Sequence, residues 1–343
     1  MKRPTQHDVA RKAGVSRATV SYVLNDQDGG RIPISAETRQ RVLGAIADLG
    51  YEVDARAQAL RSGETKTIGV LLPLYENPFF WQMLVGISSE AEASGYSLLL
   101  AHNPLTPEQE NQSIRELAEQ RVDGLVLMIG FKQLSQQVTA QLRRSARPIV
   151  EISGSVSEFD YVHQGYGSGA LALMAHLLEL GHQRIGFIYG VDVPSQGFDR
   201  LEAYRQALES AGLPYDDSLV IRCGQRMEDG HRAALDLLRR PDRPTALLTI
   251  NDLLGIATVR AAVDLGLRVP DDVSIASFDN IPFASFSVPR LTTVTGSPAQ
   301  NGRDAVRLLL KRLAEPDRPL EIIESEWQLV IRESTGPVPK VRR

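Results

Sequence analysis

From Thr67 onward, short apolar runs alternate with amphipathic stretches. "TIGVLLP", "YSLLLAH", "DGLVLMIG" and "PIVEI" have strand length and no polar face. Residues 79–93, 107–119 and 133–144, lying between them, repeat their apolar positions at helical spacing. The alternation restarts after residue 165. A helix ending in "HLLELGH" leads to "RIGFIYG", residues 198–211 make another helix, and "TALLTI" and "VSIASF" are further apolar runs. A strand apolar on both faces must be covered on both faces, so the pattern predicts parallel sheets clad by helices. Two such series predict two α/β subdomains, each a doubly wound parallel sheet. Ligands of these sheets gather at the carboxyl ends of the strands, which makes the cleft between the subdomains the expected site.

The N-terminal residues follow a different rule. Thr5 and Asp8 form a T-x-x-D capping box, and Val9, Ala10 and Ala13 then make one apolar face. Gly14 is placed to stop that helix, since glycine enters a left-handed cap at little cost. Ser16 caps a second helix with Val20, Val23 and Leu24 inward. Ser35 caps a third, carrying Val42, Ala45, Ile46 and Leu49 and ending at Gly50. Three small helices with a tight turn between the first two describe an all-α helix-turn-helix head. The second helix of such a unit enters the major groove, and here its outward residues are Arg17, Ala18 and Tyr22. Arg17 can hold guanine O6 and N7 with two hydrogen bonds, and Ala18 can offer a methyl contact. Ser16, Thr19, Ser21 and Asn25, with Thr5 at the first helix start, are sized for phosphate contacts that position the unit.

Charge supports a polyanion at that end. The chain carries a net −4, yet residues 1–23 hold Lys2, Arg3, Arg11, Lys12 and Arg17 against Asp8 alone. One cysteine, Cys223, excludes an internal disulfide framework and a cysteine-built zinc site. The six histidines lack metal-ligand spacing, so no metal and no cofactor are expected. No apolar run has membrane-spanning length and no secretory signal follows Lys2-Arg3, so a cytoplasmic protein is expected. "GYGSGA" (165–170) has dinucleotide-loop spacing, but "EFDYVHQ" before it reads as too polar for a buried strand. Nothing suggests catalysis.

"TxxDVAxxAGVSxxTVSxVLN" followed by "ISAETRQRVLGAIADLGY" closely resembles the DNA-binding head of the lactose-repressor/galactose-repressor (LacI/GalR) family of bacterial transcription regulators. Residues 67–335 resemble the type I periplasmic-binding-protein-like body of the same family, through "NPFF" (77–80), "LGHQRIGFI" (180–188), "TINDLLGIA" (249–257), "VPDDVSIASFDNIPFA" (269–284) and "PRLTTV" (289–294). The resemblance implies a helix-turn-helix domain at 1–52, a hinge helix or linker at 53–66 and an effector-binding and dimerisation domain at 67–335. Its N-subdomain would comprise about 67–164 plus 295–325, its C-subdomain about 165–294 plus 326–335, and residues 336–343 would be a tail. It also implies that Leu60 wedges into the minor groove when the hinge forms on operator DNA. Among effector contacts it implies Arg200, Asn251 and Asp279 as polar partners and Phe79 and Phe80 as lining.

The implied function is that of a homodimeric, sequence-specific repressor of transcription, binding pseudo-palindromic double-stranded operator DNA and controlled by a small molecule, a sugar, in the cleft. The chain departs from the family pattern at Gly165-Tyr166, where Asp-Asn is common, and at Gly296, where a polar side chain is common. The segment 26–34 is also longer than in many members. A solute-binding protein with an appended helical head is the alternative; it accounts for 67–335 and leaves 5–60 without a purpose.

Overall fold

A computed structural model describes residues 4–25, 34–51, 64–73, 77–102, 107–128, 135–145, 147–153, 157–190 and 198–339. The chain divides into two compact units, Met1–Thr65 and Lys66–Arg343.

In the first unit, α1 (Gln6–Ala13), α2 (Arg17–Asn25) and α3 (Ala36–Leu49) form a helix-turn-helix. Local chemistry sets every described boundary. The Thr5–Asp8 capping box is complete, with the Thr5 hydroxyl donating to Asp8 Oδ2 at 2.7 Å and the Thr5 amide to the same oxygen at 3.0 Å. Gly14 and Gly50 terminate α1 and α3 at φ 66° and 60°, in the left-handed region. The Ser16 and Ser35 hydroxyls accept the Thr19 and Thr38 amides at 3.1 and 3.2 Å. Val9, Ala10, Ala13, Val20, Val23, Val42 and Ala45 form its small core.

The second unit is a mixed α/β body. Its first series runs β1 (Thr67–Leu72), α4 (Pro78–Ala93), β2 (Ser97–His102), α5 (Pro107–Glu119), β3 (Gly124–Met128), α6 (Gln136–Arg144), β4 (Ile149–Ser153) and β5 (Asp160–His163). The second runs α7 (Tyr166–Glu179), β6 (Ile185–Gly190), α8 (Phe198–Ser210), β7 (Val220–Cys223), α9 (Met227–Leu238), β8 (Ala246–Thr249), α10 (Asp252–Asp264), β9 (Ser274–Phe278) and β10 (Thr292–Thr295). Then α11 (Pro298–Ala314), β11 (Ile322–Glu324) and β12 (Gln328–Val330) follow. One sheet has the order β11-β5-β4-β3-β1-β2 and the other β12-β10-β9-β8-β6-β7. All pairings are parallel except β10 with β12. The chain therefore crosses between sheets three times, at 164–165, 296–297 and 325–327. This is the periplasmic-binding-protein-like architecture.

Helices α4 and α11 meet backbone to backbone. A side chain on Gly86 would collide with the Ala299 carbonyl, and one on Gly302 with the Met83 carbonyl. The packing of α11 against α4 thus depends on two missing methyl groups.

One sequence expectation needs correction. "EFDYVHQ" contains a buried strand after all, β5, whose Asp160 is fully enclosed. Its carboxylate accepts Arg312 Nε and Nη2 at 2.9 Å each, Arg318 Nη2 at 2.9 Å and the Glu321 amide at 2.8 Å. Burial pushes the Asp160 pKa up, but these donors and charges outweigh it and hold the group below the ordinary carboxylate range. The described part of the tail, residues 336–339, docks on the second sheet's layer. The Gly336 amide donates to Ser274 Oγ at 3.0 Å, its carbonyl accepts from the buried His182 at 3.0 Å, and the Val338 amide reaches the Leu180 carbonyl at 2.9 Å.

Candidate functional site

The second helix of the head turns Val20 and Val23 into the core, which leaves Arg17, Ala18 and Tyr22 on the opposite, exposed face. Tyr22 is 47% exposed on that face. Arg11 is paired with Asp8 at 3.0 Å and Lys12 with Asp48 at 2.8 Å, so two of the local cations are neutralised within the unit. Arg17 has no ion-pair partner among the described residues. Ser16 Oγ and Thr19 Oγ1 share a 2.9 Å hydrogen bond, and Thr19 and Ser21 are half-buried. Thr5 is occupied by its capping box, whose hydrogen bonds hold the Asp8 carboxyl below its usual range. The side chain of Asn25 and all of Leu60 lie outside the described residues.

The second site lies between the two sheets of the body. Asn77 caps α4: its Oδ1 accepts the Phe79 amide at 3.1 Å. Its Nδ2 donates to Asp279 Oδ2 at 2.8 Å, a buried bond from the first sheet's layer to the carboxyl end of β9 in the second. Asp279 and Asn280 adopt φ 102° and 52°, strained for residues with a Cβ. The turn is held from all sides. The Asp279 amide donates to the Val294 carbonyl at 2.9 Å, the Ile281 amide to Asp252 Oδ2 at 2.8 Å, and Arg332 Nη2 to Asn280 Oδ1 at 2.6 Å. Asp252, wholly buried at the start of α10, also accepts Thr293 Oγ1 at 2.7 Å and the Ser277 hydroxyl.

Two acids in so dry a place are hard to ionise. Burial raises the Asp279 pKa to about 6, with the Asn77 hydrogen bond and the Arg200 charge pulling back. Burial, helped by the Asp279 charge, raises Asp252 to about 8 against the pull of its three donors. Arg200, near the start of α8, holds its guanidinium carbon 4.0 Å from the Tyr166 ring centre and 5.5 Å from that of Phe278. Arg200 Nη1 reaches the Ile250 carbonyl at 3.5 Å, while its buried Nε has no partner among the described residues. The Tyr166 hydroxyl donates to Gln164 Oε1 at 3.0 Å, and the Nε2 of Gln164, a residue 2% exposed, has no partner either. A buried acid, Asp279, and two buried N–H donors without a partner among the described residues thus lie around the Tyr166 ring.

The structure brings Arg200 and Asp279 into one electrostatic neighbourhood. Asn251 lies at the start of α10, where its Oδ1 caps the helix by accepting the Leu254 amide at 3.0 Å. Phe79 is 2% exposed and belongs to the core, and Phe80 stands edge-on to it at 5.4 Å, half-buried. Sequence reasoning missed Asn77, Asp252, Gln164 and Trp327, and treated Tyr166 only as a departure. The one local signal was the N-cap position of Asn77 before Pro78.

Residues 5–54 match the family model "Bacterial regulatory proteins, lacI family", and residues 174–335 match "Periplasmic binding protein-like domain". The chain is 32% identical over 333 residues to the HTH-type transcriptional repressor PurR of Photobacterium profundum, covering 96% of this chain and 98% of that protein. The chain belongs to the LacI family. This LacI-family protein is accordingly a DNA-binding transcriptional regulator with an effector-binding body. It is also 32% identical over 346 residues to the HTH-type transcriptional regulator DegA of Bacillus subtilis, covering 98% and 99% of the two chains. Among solved structures, the lac repressor dimer bound to operator and the anti-inducer ONPF matches at TM-score 0.84 and 26% identity, over 98% of this chain and all of that one. The complex of the regulator CelR with cellobiose matches at TM-score 0.72 and 29% identity, over 97% and 100%.

Proposed function

We propose that this regulator is a homodimeric repressor whose operator affinity is set by a carbohydrate bound between the two sheets of its body. In this reading residues 1–52 read DNA, 53–66 join the head to the body and carry the Leu60 wedge, and 67–335 bind effector and partner subunit. The observation that carries it is the Asn77–Asp279 hydrogen bond beside the partnerless Nε of Arg200. A sugar hydroxyl can donate to the Asp279 carboxylate and accept from Arg200, and replacing the bond between subdomains changes their closure. Asn251 and Phe80 are the remaining proposed contacts, with Phe79 shaping the wall from within. The half-buried rings of Tyr166 and Phe80 favour a flat nitrogen heterocycle as the second reading. Dimerisation is supported by exposed apolar side chains, Trp81 and Val85 on α4 and Phe283, Phe286 and Val288 after β9, and by the dimeric state of the lac repressor neighbour.

Thermal shift with D-cellobiose, D-ribose and hypoxanthine tests the effector class, because a ligand in excess stabilises the state it binds. A sugar should raise the wild-type melting temperature and leave Arg200→Ala unmoved; a response to hypoxanthine alone selects the heterocycle. Gel shifts with a randomised duplex pool at two salt concentrations test the DNA reading. Affinity should fall steeply with salt, and a protein that retains no duplex has lost the head's proposed role.

A further inference from the structure

The three crossover segments converge on one side chain. Trp327, in the third crossover, donates its indole N–H to the Gln164 carbonyl of the first at 2.6 Å. Its ring lies against Gly296 of the second, where an added Cβ would come 2.8 Å from Trp327 Cζ2. It also lies against Gly169 of α7, where a Cβ would come 3.0 Å from Cε3. The third crossover also meets the end of β5, just before the first, where the Ser325 amide donates to the His163 carbonyl at 2.9 Å. On its other side Trp327 packs on the Tyr166 ring, centroids 4.8 Å apart, and Tyr166 in turn carries the Arg200 guanidinium at 4.0 Å.

Two of the features that set this chain apart from its family's pattern, Tyr166 and Gly296, thus both serve Trp327: one stacks on it and the other makes room for it. We propose that Trp327 is a clasp fastening all three crossovers, and that Tyr166 is a positioning residue relaying the state of Arg200 to that clasp. This rests on reading the cleft as the effector site, and it names the route by which occupancy reaches the three crossovers. A ligand that draws Arg200 toward its own acceptors must lift the guanidinium from the Tyr166 face. Tyr166 is anchored at its far end by Gln164, whose carbonyl also holds the indole, so the ring cannot follow without loosening its contact with Trp327. Packed interiors pass on such displacements because they have little free volume.

The relay can be tested without any effector. Hydrogen exchange of the full-length protein should show, in Gly296→Ala, exchange at least tenfold faster at 163–167, 295–298 and 325–328 together, with the strands of both sheets unchanged. Trp327→Phe, which keeps a ring and removes the indole donor, should give the same pattern more weakly. Acceleration confined to 325–328 in both variants would overturn the clasp. The chain has two tryptophans, so Trp81→Phe leaves Trp327 as the only indole emitter. In that background Arg200→Ala should shift Trp327 emission to the red, and the shift should vanish when Tyr166 is also alanine. An Arg200→Ala protein with unchanged emission, or an equal shift with and without Tyr166, refutes the relay. Failure of every sugar and heterocycle in thermal shift would instead sink the effector reading and leave these results standing.

Discussion

Replacing Asp252 with asparagine isolates the electrostatics of the strained turn. With its pKa raised to about 8 from an ordinary 3.8, the folded protein holds a proton on Asp252 that the unfolded chain has released throughout that interval. Stability conferred by this group therefore falls as pH rises from about 4 and stops falling near pH 8. Four pH units at ~1.4 kcal/mol each amount to about 5–6 kcal/mol over the whole window, of which about 4 kcal/mol falls between pH 5 and 8. Asparagine has nearly the shape of the protonated acid. Its oxygen can face the Ile281 amide and its nitrogen the Ser277 and Thr293 hydroxyls, which both bind the other oxygen of Asp252. Urea unfolding of wild type and Asp252→Asn at pH 5, 6, 7 and 8 should show the variant gaining by about 4 kcal/mol across the series. Asp279→Asn, which removes the neighbouring charge, should move the plateau to lower pH. Parallel curves would refute the shift, and a wild type that gains on the variant as pH rises would mean that its three donors keep the carboxylate charged.

Arg17→Ala should erase base preference at one position per half-site, a discrimination of about 1–3 kcal/mol, in a selection from randomised duplexes; uniform weakening across sequences would make Arg17 a phosphate contact. Asp160→Asn leaves Arg312 and Arg318 facing a neutral amide and should cost about 3–5 kcal/mol in denaturant unfolding of the body. Gly86→Ala drives a methyl into the Ala299 carbonyl and should cost about 1–3 kcal/mol, read as a lower melting temperature with operator binding by the head intact.

What the sequence announces and what it hides divide along one physical line. Helix ends in the head are set by contacts three or four residues apart, so Thr5, Gly14, Ser16, Ser35 and Gly50 could be read directly. Strands such as β1, β3 and β6 are buried over nearly their whole length and betray themselves by continuous apolar runs. β5 and β10 escaped because their polar residues are enclosed by distant partners: Asp160 by Arg312 and Arg318, Thr292 and Thr293 by Thr335 and Asp252. The cleft behaves likewise. Arg200 and Asp279 stand at recognisable strand and helix ends, whereas the roles of Asn77, Asp252 and Trp327 come from residues 25 to 202 positions away.

Both sheets are finished by their last strands, β11 and β12, which lie only a few residues apart and close opposite halves of the body. A polypeptide emerging from the ribosome consequently cannot complete either half before residues 322–330 are free, although most of each half was synthesised long before. Until then β5 and β10 each expose a row of unpaired amides and carbonyls, the surface on which nascent chains stick to one another. Premature termination near residue 320 would leave two unfinished halves where a shorter, simpler order of strands would have left one sound domain.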